Sequence, residues 1–208
     1  MKGKFISLEG GEGAGKSSAI HVIKAWLEER NIEYVLTREP GGTPMAEEIR
    51  ELVLASRDEA VAADTELLLV FAARVQHINT TILPALAEGK WVISDRFVDS
   101  SYVYQGIGRG IDKSVIDMLR TSFLEGCMPD KTLLLDVPVE LGLSRVASRG
   151  DANRLDGEST AFHEAVRSGF LELAADEPAR FAVLDASQTM DNVAEQILQQ
   201  LSLLEKTL

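Results

Sequence analysis

A glycine-rich stretch near the start of the chain constrains the fold more than any other feature of the sequence. Residues 10–17 read GGEGAGKS, a full match to the pattern G-x-x-x-x-G-K-[S/T]. Glycines permit a backbone with positive φ, so that successive N–H groups can point inward. Together with the N-terminus of a following helix, these groups bind phosphate oxygens. The stretch therefore predicts a phosphate-binding loop between a strand and a helix, whereas the alternative is a glycine-rich turn that ends in Lys-Ser by chance.

The flanking sequence favours the phosphate-binding loop. Residues 5–8 are an apolar strand pattern, and apolar residues recur at helical spacing from Lys16 to Arg30. Further strand patterns cover residues 34–36, 91–94, 132–135 and 181–184, and further helical patterns cover 45–55, 64–87, 113–124, 138–148, 159–175 and 190–204. Alternating strands and helices predict an α/β fold of three layers, a parallel five-stranded sheet with helices on both faces. We find no linker and expect a single domain over residues 1–208.

Composition excludes several classes of protein. The chain carries 33 acidic and 21 basic residues, a net charge of −12, which a nucleic-acid backbone would repel. Its longest apolar run, residues 67–73, is too short to cross a bilayer, and the N-terminal residues have no secretory apolar segment. One cysteine, Cys127, fits a reducing compartment. We expect a cytoplasmic protein that binds neither nucleic acid nor membrane.

The loop residues are typical of a nucleoside triphosphate site that uses Mg²⁺. Lys16 is expected to reach the β- and γ-phosphates, and the Ser17 hydroxyl to coordinate the Mg²⁺ ion. Asp95 follows the third predicted strand, where open α/β sheets bind ligands, and it joins the Mg²⁺ site if that strand neighbours the first. The alternative for Asp95 is a helix cap. The predicted ATP-binding residues are Gly10, Gly11, Glu12, Gly13, Ala14, Gly15, Lys16, Ser17 and Ser18.

Three classes of protein share such a loop: phosphotransferases, nucleotide-dependent switches and mechanical ATPases. The sequence contains neither the Asn-Lys-x-Asp nor the Asp-x-x-Gly string of a guanine-nucleotide switch. A phosphotransferase needs cationic side chains for a second anionic substrate and for the transferring group. Several arginines of this acidic chain lie beside the predicted ligand loops, among Arg38, Arg50, Arg74, Arg96, Arg109, Arg145, Arg149 and Arg154. We therefore favour a small-molecule kinase.

Longer strings carry a resemblance to a known family. Beyond the loop they read TREPGGT at residues 37–43, FAAR at 71–74, DRF at 95–97, SS at 100–101, YQG at 104–106 and GRG at 108–110. Over essentially its whole length the chain resembles the bacterial thymidylate kinases. The resemblance implies a P-loop kinase that converts ATP and thymidine 5′-monophosphate (dTMP) into ADP and the diphosphate (dTDP), for dTTP synthesis. It also implies Mg²⁺ as cofactor and a symmetric homodimer.

The resemblance assigns an acceptor site as well. It implies that Arg74 donates to thymine O4 and that Gln105 pairs with N3. Cytosine has an amino group at position 4, so its N–H donors would face the N–H donors of Arg74. Tyr104 would pack beside the deoxyribose and crowd a 2′-hydroxyl, while Arg50 and Arg96 would hold the 5′-phosphate. Without the resemblance, Tyr104 would be interpreted as a core aromatic and Gln105 as a helix cap.

Other acceptor residues complete this set. The resemblance implies that Glu12 lies on the sugar or phosphate side of the acceptor and that Glu39 lies near the Mg²⁺–water network. In many relatives an aromatic residue four positions before the arginine stacks on thymine, but here that position is Val70 and the aromatic is Phe71, three positions before. Either Phe71 reaches the ring or Val70 covers it. The predicted substrate-binding residues are Glu39, Arg50, Phe71, Arg74, Arg96, Ser100, Ser101, Tyr104 and Gln105.

No general base is needed, because the acceptor phosphate is already an anion. The variable positions of the phosphate loop hold no basic residue, whereas some relatives carry an arginine there. Residues 148–158, which include Arg149 and Arg154, resemble the family's mobile lid and would deliver an arginine to the phosphates on closing. The expected catalytic residues are Lys16, Glu12, Arg96, Arg154 and Arg149.

The lid arginines lead to a first prediction. We expect Arg154→Ala to lower kcat by roughly 10²-fold or more, the scale of losing one preorganised charge contact. Steady-state turnover of ATP with saturating dTMP measures the effect. Unchanged turnover would remove this arginine from the mechanism.

Overall fold

The computed structural model describes residues 3–124, 126–148 and 157–206. Its strands are β1 (Phe5–Glu9), β2 (Tyr34–Arg38), β3 (Trp91–Asp95), β4 (Lys131–Asp136) and β5 (Phe181–Asp185). Its helices are α1 (Lys16–Glu29), α2 (Pro44–Leu54), α3 (Ala63–His77), α4 (Leu83–Ala87), α5 (Val98–Ser101), α6 (Lys113–Phe123), α7 (Val139–Ala147), α8 (Thr160–Asp176) and α9 (Met190–Glu205). Two π-helical turns, Ile78–Ile82 and Tyr102–Ile107, follow α3 and α5.

The five strands form one parallel sheet in the order β2-β3-β1-β4-β5. The central strand β1 lies between β3 and β4, and Leu8 of β1 pairs in register with Asp95 of β3. The carboxyl ends of parallel strands meet at one edge of a sheet. The loop after β1 and the end of β3 are therefore neighbours, as the predicted metal site requires.

Two hydrophobic cores confirm the predicted three layers. Ile6 and Leu8 of β1 pack in a core with residues of α1 and α9, including Ile23 and Ile197. Phe5 belongs to the core on the other face, formed with α3 and α6. Alternate residues of a strand face opposite sides of a sheet, so an apolar run such as FISL can contact two helical layers at once. Within the described ranges, no helix has both the length and the apolar character needed to cross a membrane.

The long helical pattern at residues 64–87 is only partly regular. Helix α3 passes through the π turn Ile78–Ile82 into α4, and Gly89, at φ 81°, follows its end as expected. The N-cap of α3 is Ala62, which makes no side-chain cap hydrogen bond, so the acids of the first turn do not cap the helix. Glu66 points to Gln105 and Arg109 instead.

The segment after β3 is a helix that the sequence patterns do not predict. Helix α5 and the following π turn cover Val98–Ser101 and Tyr102–Ile107, and all four residues of α5 are buried. Three of the four residues of α5 are polar although all four are buried, so the segment shows no apolar stripe of helical period. This segment carries four of the predicted substrate-binding residues, Ser100, Ser101, Tyr104 and Gln105.

Candidate active site

The phosphate loop connects β1 to α1 and ends at Gly15, the N-cap of α1. Gly10, Gly13 and Gly15 have φ values of 143°, 69° and 91°, which only glycine adopts readily. A side chain at Gly13 would also collide with the backbone of Gly142 in α7. These glycines therefore serve both the shape of the loop and its close contact with α7.

Lys16 lies at the start of α1, folded back over the loop. Its Nζ donates to the carbonyl oxygens of Gly10 and Gly11, each at 3.3 Å. Burial lowers the pKa of Lys16. A partly buried ammonium group that donates to carbonyl oxygens is well placed to receive anionic phosphate oxygens.

A cavity of about 520 Å³ opens in front of the loop, within the size range of small-molecule sites. It brings together most of the predicted residues: Glu12, Gly13, Ala14, Gly15, Lys16, Ser17, Ser18, Glu39, Arg50, Arg74, Asp95, Arg96, Ser100, Ser101, Tyr104 and Gln105. Gly10 and Gly11 instead line a small cavity of about 20 Å³ behind the loop. The predicted Arg149 and Arg154, and the lid from 149 to 156, lie outside the described residues.

Ser17 and Asp95 fit the predicted Mg²⁺ site. Asp95 Oδ1 is buried and has no hydrogen-bond partner, so a hard oxygen donor remains available at the end of β3. Among the described residues, no group of three or more His, Cys, Asp and Glu side chains could hold a metal ion. A site with few side-chain ligands suits Mg²⁺, which proteins commonly bind through one or two side chains together with substrate phosphates.

Arg96 joins the phosphate loop to the acceptor side of the cavity. Its Nη2 donates to Glu12 Oε1 at 2.9 Å, and its Nη1 donates to Gly10 O at 3.1 Å and Ser100 Oγ at 3.3 Å. The Tyr104 hydroxyl donates to the same Glu12 oxygen at 2.9 Å. Burial alone would raise the pKa of Glu12, but the charges of Arg96 and Lys16 and the Tyr104 hydrogen bond hold it at about 2. Glu12 is therefore a carboxylate at neutral pH.

Glu9, the last residue of β1, is a second buried acid beside Arg96. Its oxygens accept from the Phe97 N–H at 2.8 Å and from Ser100 Oγ at 2.7 Å. Burial, reinforced by the nearby Asp99 carboxylate, raises the pKa of Glu9 to about 7. Its charge therefore changes within the physiological pH range.

This raised pKa makes stability depend on pH. The folded state holds the Glu9 proton more tightly than the unfolded state, so Glu9 reduces the free energy of unfolding progressively as pH rises from about 4.5 to 7. We expect Glu9→Gln to gain stability relative to the unmodified chain over that window, by at most ~1.4 kcal/mol per pH unit. Urea unfolding between pH 4.5 and 8 measures the difference. The exposed Glu172→Gln is the control, and a pH-independent difference for Glu9→Gln would contradict the expectation.

Arg74 is held rigidly at the far end of the cavity, with 1% of its surface exposed. Its Nε donates to Glu39 Oε2 at 2.6 Å, and its Nη1 donates to Ser101 Oγ at 2.8 Å. The other Glu39 oxygen pairs with His77 Nδ1 at 2.9 Å. Both Glu39 oxygens are thus engaged, with Arg74 and with His77, and its expected place near the Mg²⁺–water network stays a prediction.

The two candidates for covering the base lie in different surroundings. Val70 lines the cavity, whereas Phe71 is 3% exposed and belongs to the core around Phe5. The structure therefore favours Val70 as the residue that faces the cavity, and substrate binding by Phe71 stays an untested prediction. Residues at adjacent helix positions point about 100° apart, and α3 turns the aromatic ring into the core. The Phe71 ring instead lies 4.9 Å from the Arg74 guanidinium carbon and supports that side chain from behind.

Tyr104 and Gln105 combine burial with polar contacts at the cavity. Tyr104 packs near Phe162 and Phe170, with ring centroids 6.2 Å apart in each case, but its hydroxyl contacts Glu12. Gln105 does not cap a helix, since its Nε2 donates to Glu66 at 2.9 Å. The interpretations as a simple core aromatic and a cap are therefore insufficient.

Two residues at the cavity received no role from the sequence. Glu66 lies within a predicted helix, and its pairing with Gln105 crosses 39 positions of the chain. Arg145 of α7 was one of several arginines near ligand loops. Its Nη1 donates to Gly13 O at 3.3 Å and Ala186 O at 3.1 Å, which ties the phosphate loop to the segment after β5. The Gly-x-x-x-x-Gly-Lys string gives no signal for partners so distant in sequence.

A phosphate loop after the central strand of a parallel sheet, facing arginines across one cavity, defines a P-loop kinase of small phosphorylated substrates. The family model of thymidylate kinase matches residues 8–197. The chain belongs to the thymidylate kinase family.

Known proteins of this family are similar over nearly the whole chain. The thymidylate kinase of Marinomonas sp. is 59% identical over 206 residues, 99% of this chain and 97% of that protein. That of Pseudomonas syringae pv. syringae is 54% identical and covers 93% of this chain and 92% of its own length. The crystal structure of thymidylate kinase from Ehrlichia chaffeensis superposes with a TM-score of 0.77 at 33% identity, over 97% of this chain and 99% of that one.

Proposed function

We propose that this chain transfers the γ-phosphoryl group of ATP to the 5′-phosphate of dTMP, giving dTDP and ADP. Membership of the thymidylate kinase family supports the reaction. One observation carries the proposal for the site. A single cavity is lined both by Lys16 and Ser17 of the phosphate loop and by Arg74 and Gln105. Two nucleotides, one bound at the loop and one at Arg74 and Gln105, would meet with their phosphates together.

At the donor end, we assign residues 10–18 to the phosphates of ATP, bound by loop N–H groups and by Lys16. Ser17 and Asp95 would hold Mg²⁺, which neutralises phosphate charge when it is bound. Arg145 connects the loop to Ala186 and extends the cavity toward the nucleoside of ATP. Lys16 has the most direct role, because its cation faces the group that is transferred.

At the acceptor end, Arg50 and Arg96 would bind the 5′-phosphate of dTMP. Arg50 is anchored by a hydrogen bond from its Nη1 to Pro40 O at 2.8 Å, which leaves further N–H donors for an anion. The ionised Glu12 fixes Arg96 and accepts from Tyr104, which would lie beside the deoxyribose. Catalysis then rests on alignment and charge neutralisation rather than on a general base. We propose that Arg149 and Arg154 add the remaining charge.

A coupled assay of ADP release with a panel of nucleoside monophosphates tests the function. We expect turnover that depends on dTMP and is much weaker with dCMP, dGMP or dAMP. A preference for another acceptor would identify a different nucleoside-monophosphate kinase. Turnover that needs no acceptor would identify a nucleotide-binding regulator that hydrolyses ATP.

We further propose that the enzyme works as a homodimer in the cytoplasm. Helices α2 and α3 pack against each other and leave Leu52 and Leu68 about half exposed, which a second copy would cover. Light scattering at micromolar concentration is expected to give twice the mass of one chain. A monomer mass would contradict the dimer.

A further inference from the structure

Glu66 is a buried acid that the proposed reaction does not use. It lies in the first turn of α3, is 2% exposed and borders the cavity beside Gln105. Its Oε1 accepts from Gln105 Nε2 at 2.9 Å. Arg109 approaches both of its oxygens, with Nε 3.5 Å from Oε1 and Nη2 3.5 Å from Oε2. Burial of an acid is costly unless the acid is paired and hydrogen-bonded, and Gln105 and Arg109 are its partners here.

The chemistry of the pair fixes which way the Gln105 amide faces. A glutamine amide has one end that accepts and one that donates, and the two ends occupy nearly the same space. A carboxylate has no proton to donate, so only the NH₂ end of Gln105 can face Glu66 favourably. Among the residues that the structure describes, no group donates to the side-chain carbonyl oxygen of Gln105, Oε1, whereas its backbone carbonyl oxygen accepts from the Ile111 N–H at 3.2 Å. Oε1 is therefore the end left to accept a hydrogen bond from a ligand in the cavity.

We propose that Glu66 is a positioning residue that sets base specificity by holding the Gln105 carbonyl oxygen toward the base; this inference rests on the proposed function. Thymine carries a proton at N3, which the oxygen accepts. Cytosine carries a lone pair at N3, which the oxygen repels. A freely rotating amide would present its NH₂ group to cytosine instead, so discrimination at N3 requires that rotation be prevented. Glu66 prevents it.

The surrounding charges keep Glu66 suited to this role. Arg109 is the cation beside the carboxylate, and its Nη2 also lies 2.8 Å from Glu158 Oε1. Its guanidinium carbon lies 5.2 Å from the centre of the Phe162 ring, which limits its movement. Arg109 forms an ion pair with Glu66, and a carboxylate in an ion pair can only accept hydrogen bonds. The same arrangement shows why a neutral amide at position 66 would not substitute for the acid.

Glu66→Gln tests the proposal, because a glutamine at position 66 can both donate and accept and so permits either orientation of Gln105. Calorimetry measures the dissociation constants of dTMP and dCMP. Their ratio, Kd for dCMP divided by Kd for dTMP, expresses the preference for dTMP. We expect that ratio to fall by about tenfold or more in Glu66→Gln. The KM for ATP should stay within about twofold of the unmodified enzyme. The control is Asp64, an exposed acid in the same turn of α3. Asp64→Asn removes one negative charge and should leave the ratio unchanged.

A swapped pair separates positioning from structural support. In Glu66→Gln combined with Gln105→Glu, the acid stands at position 105 and its second oxygen again accepts from N3–H. We expect the double variant to recover most of the preference for dTMP that either single variant loses. An unchanged ratio of dissociation constants in Glu66→Gln would overturn the proposal. So would a double variant that prefers dTMP no more strongly than the single variants do.

One further ligand ties the effect to N3. In N3-methyl-dTMP a methyl group replaces the N3 proton, so the thymine donor is missing while both carbonyl oxygens are kept. The unmodified enzyme should bind the analogue about tenfold or more weakly than dTMP, and Glu66→Gln should show a smaller difference. If both proteins showed the same loss of affinity for the analogue, the role of Glu66 would be overturned but the proposed function would not. Failure of the unmodified chain to phosphorylate dTMP would instead overturn the proposed function.

Discussion

Replacing Lys16 with alanine is expected to lower kcat by about 10³-fold, equivalent to about 4 kcal/mol of transition-state stabilisation. The ammonium group contacts the Gly10 and Gly11 carbonyls and borders the cavity, so it would face the phosphates during transfer. Burial lowers the pKa of Lys16, which means that the fold holds this cation at a cost that anionic phosphates would offset. Steady-state kinetics with varied ATP and dTMP measure the change.

The KM for dTMP should change little in Lys16→Ala, because dTMP is assigned to the other end of the cavity. Lys24→Ala is the matched control, since Lys24 lies on the same helix, is exposed and pairs with Glu28 at 3.7 Å. It should keep full activity. Turnover of Lys16→Ala within tenfold of the unmodified enzyme would contradict the assignment of the loop.

Arg74→Met should have the second largest effect, on both stability and activity. The substitution leaves Glu39 buried without its arginine, and breaking a buried ion pair costs about 3–5 kcal/mol. It also removes the donor assigned to thymine O4. We expect kcat/KM for dTMP to fall by about 10³-fold, because a site built around a hydrogen bond loses strongly when the bond cannot form. Chemical denaturation and the ADP-release assay measure the two effects.

A double variant distinguishes the two contributions. Glu39→Gln combined with Arg74→Met replaces the stranded carboxylate with a neutral amide, which can still pair with His77. We expect the double variant to recover at least about half of the lost stability but none of the lost kcat/KM. Recovery of dTMP phosphorylation in the double variant would show that Arg74 acts only through stability.

The fold and the donor end of the site were predictable because their signals are local. The phosphate loop is eight contiguous residues, and its backbone requirements are met by glycine at fixed positions. The parallel sheet follows from short apolar runs that alternate with helical patterns, and the pairing of β1 with β3 then brings Asp95 to the loop. Each step uses neighbours in sequence or a general rule of α/β topology.

The acceptor end was less predictable because its contacts cross the chain. The family resemblance indicated Arg74, Gln105 and Glu39, but not that Glu39 holds Arg74 or that Glu66 holds Gln105, at separations of 35 and 39 positions. The order Val70-Phe71 left open which side chain meets the base, since both could lie near one helix face. Only the packing of α3 against the core around Phe5 places the aromatic ring inward.

The central claim is that ATP and dTMP occupy opposite ends of one continuous cavity with their phosphates together. A ligand in which adenosine and thymidine are joined through five phosphates tests it most directly, by inhibition kinetics against each substrate. We predict that this ligand is competitive with ATP and also competitive with dTMP. Competition with ATP alone, with no effect on dTMP saturation, would contradict the claim.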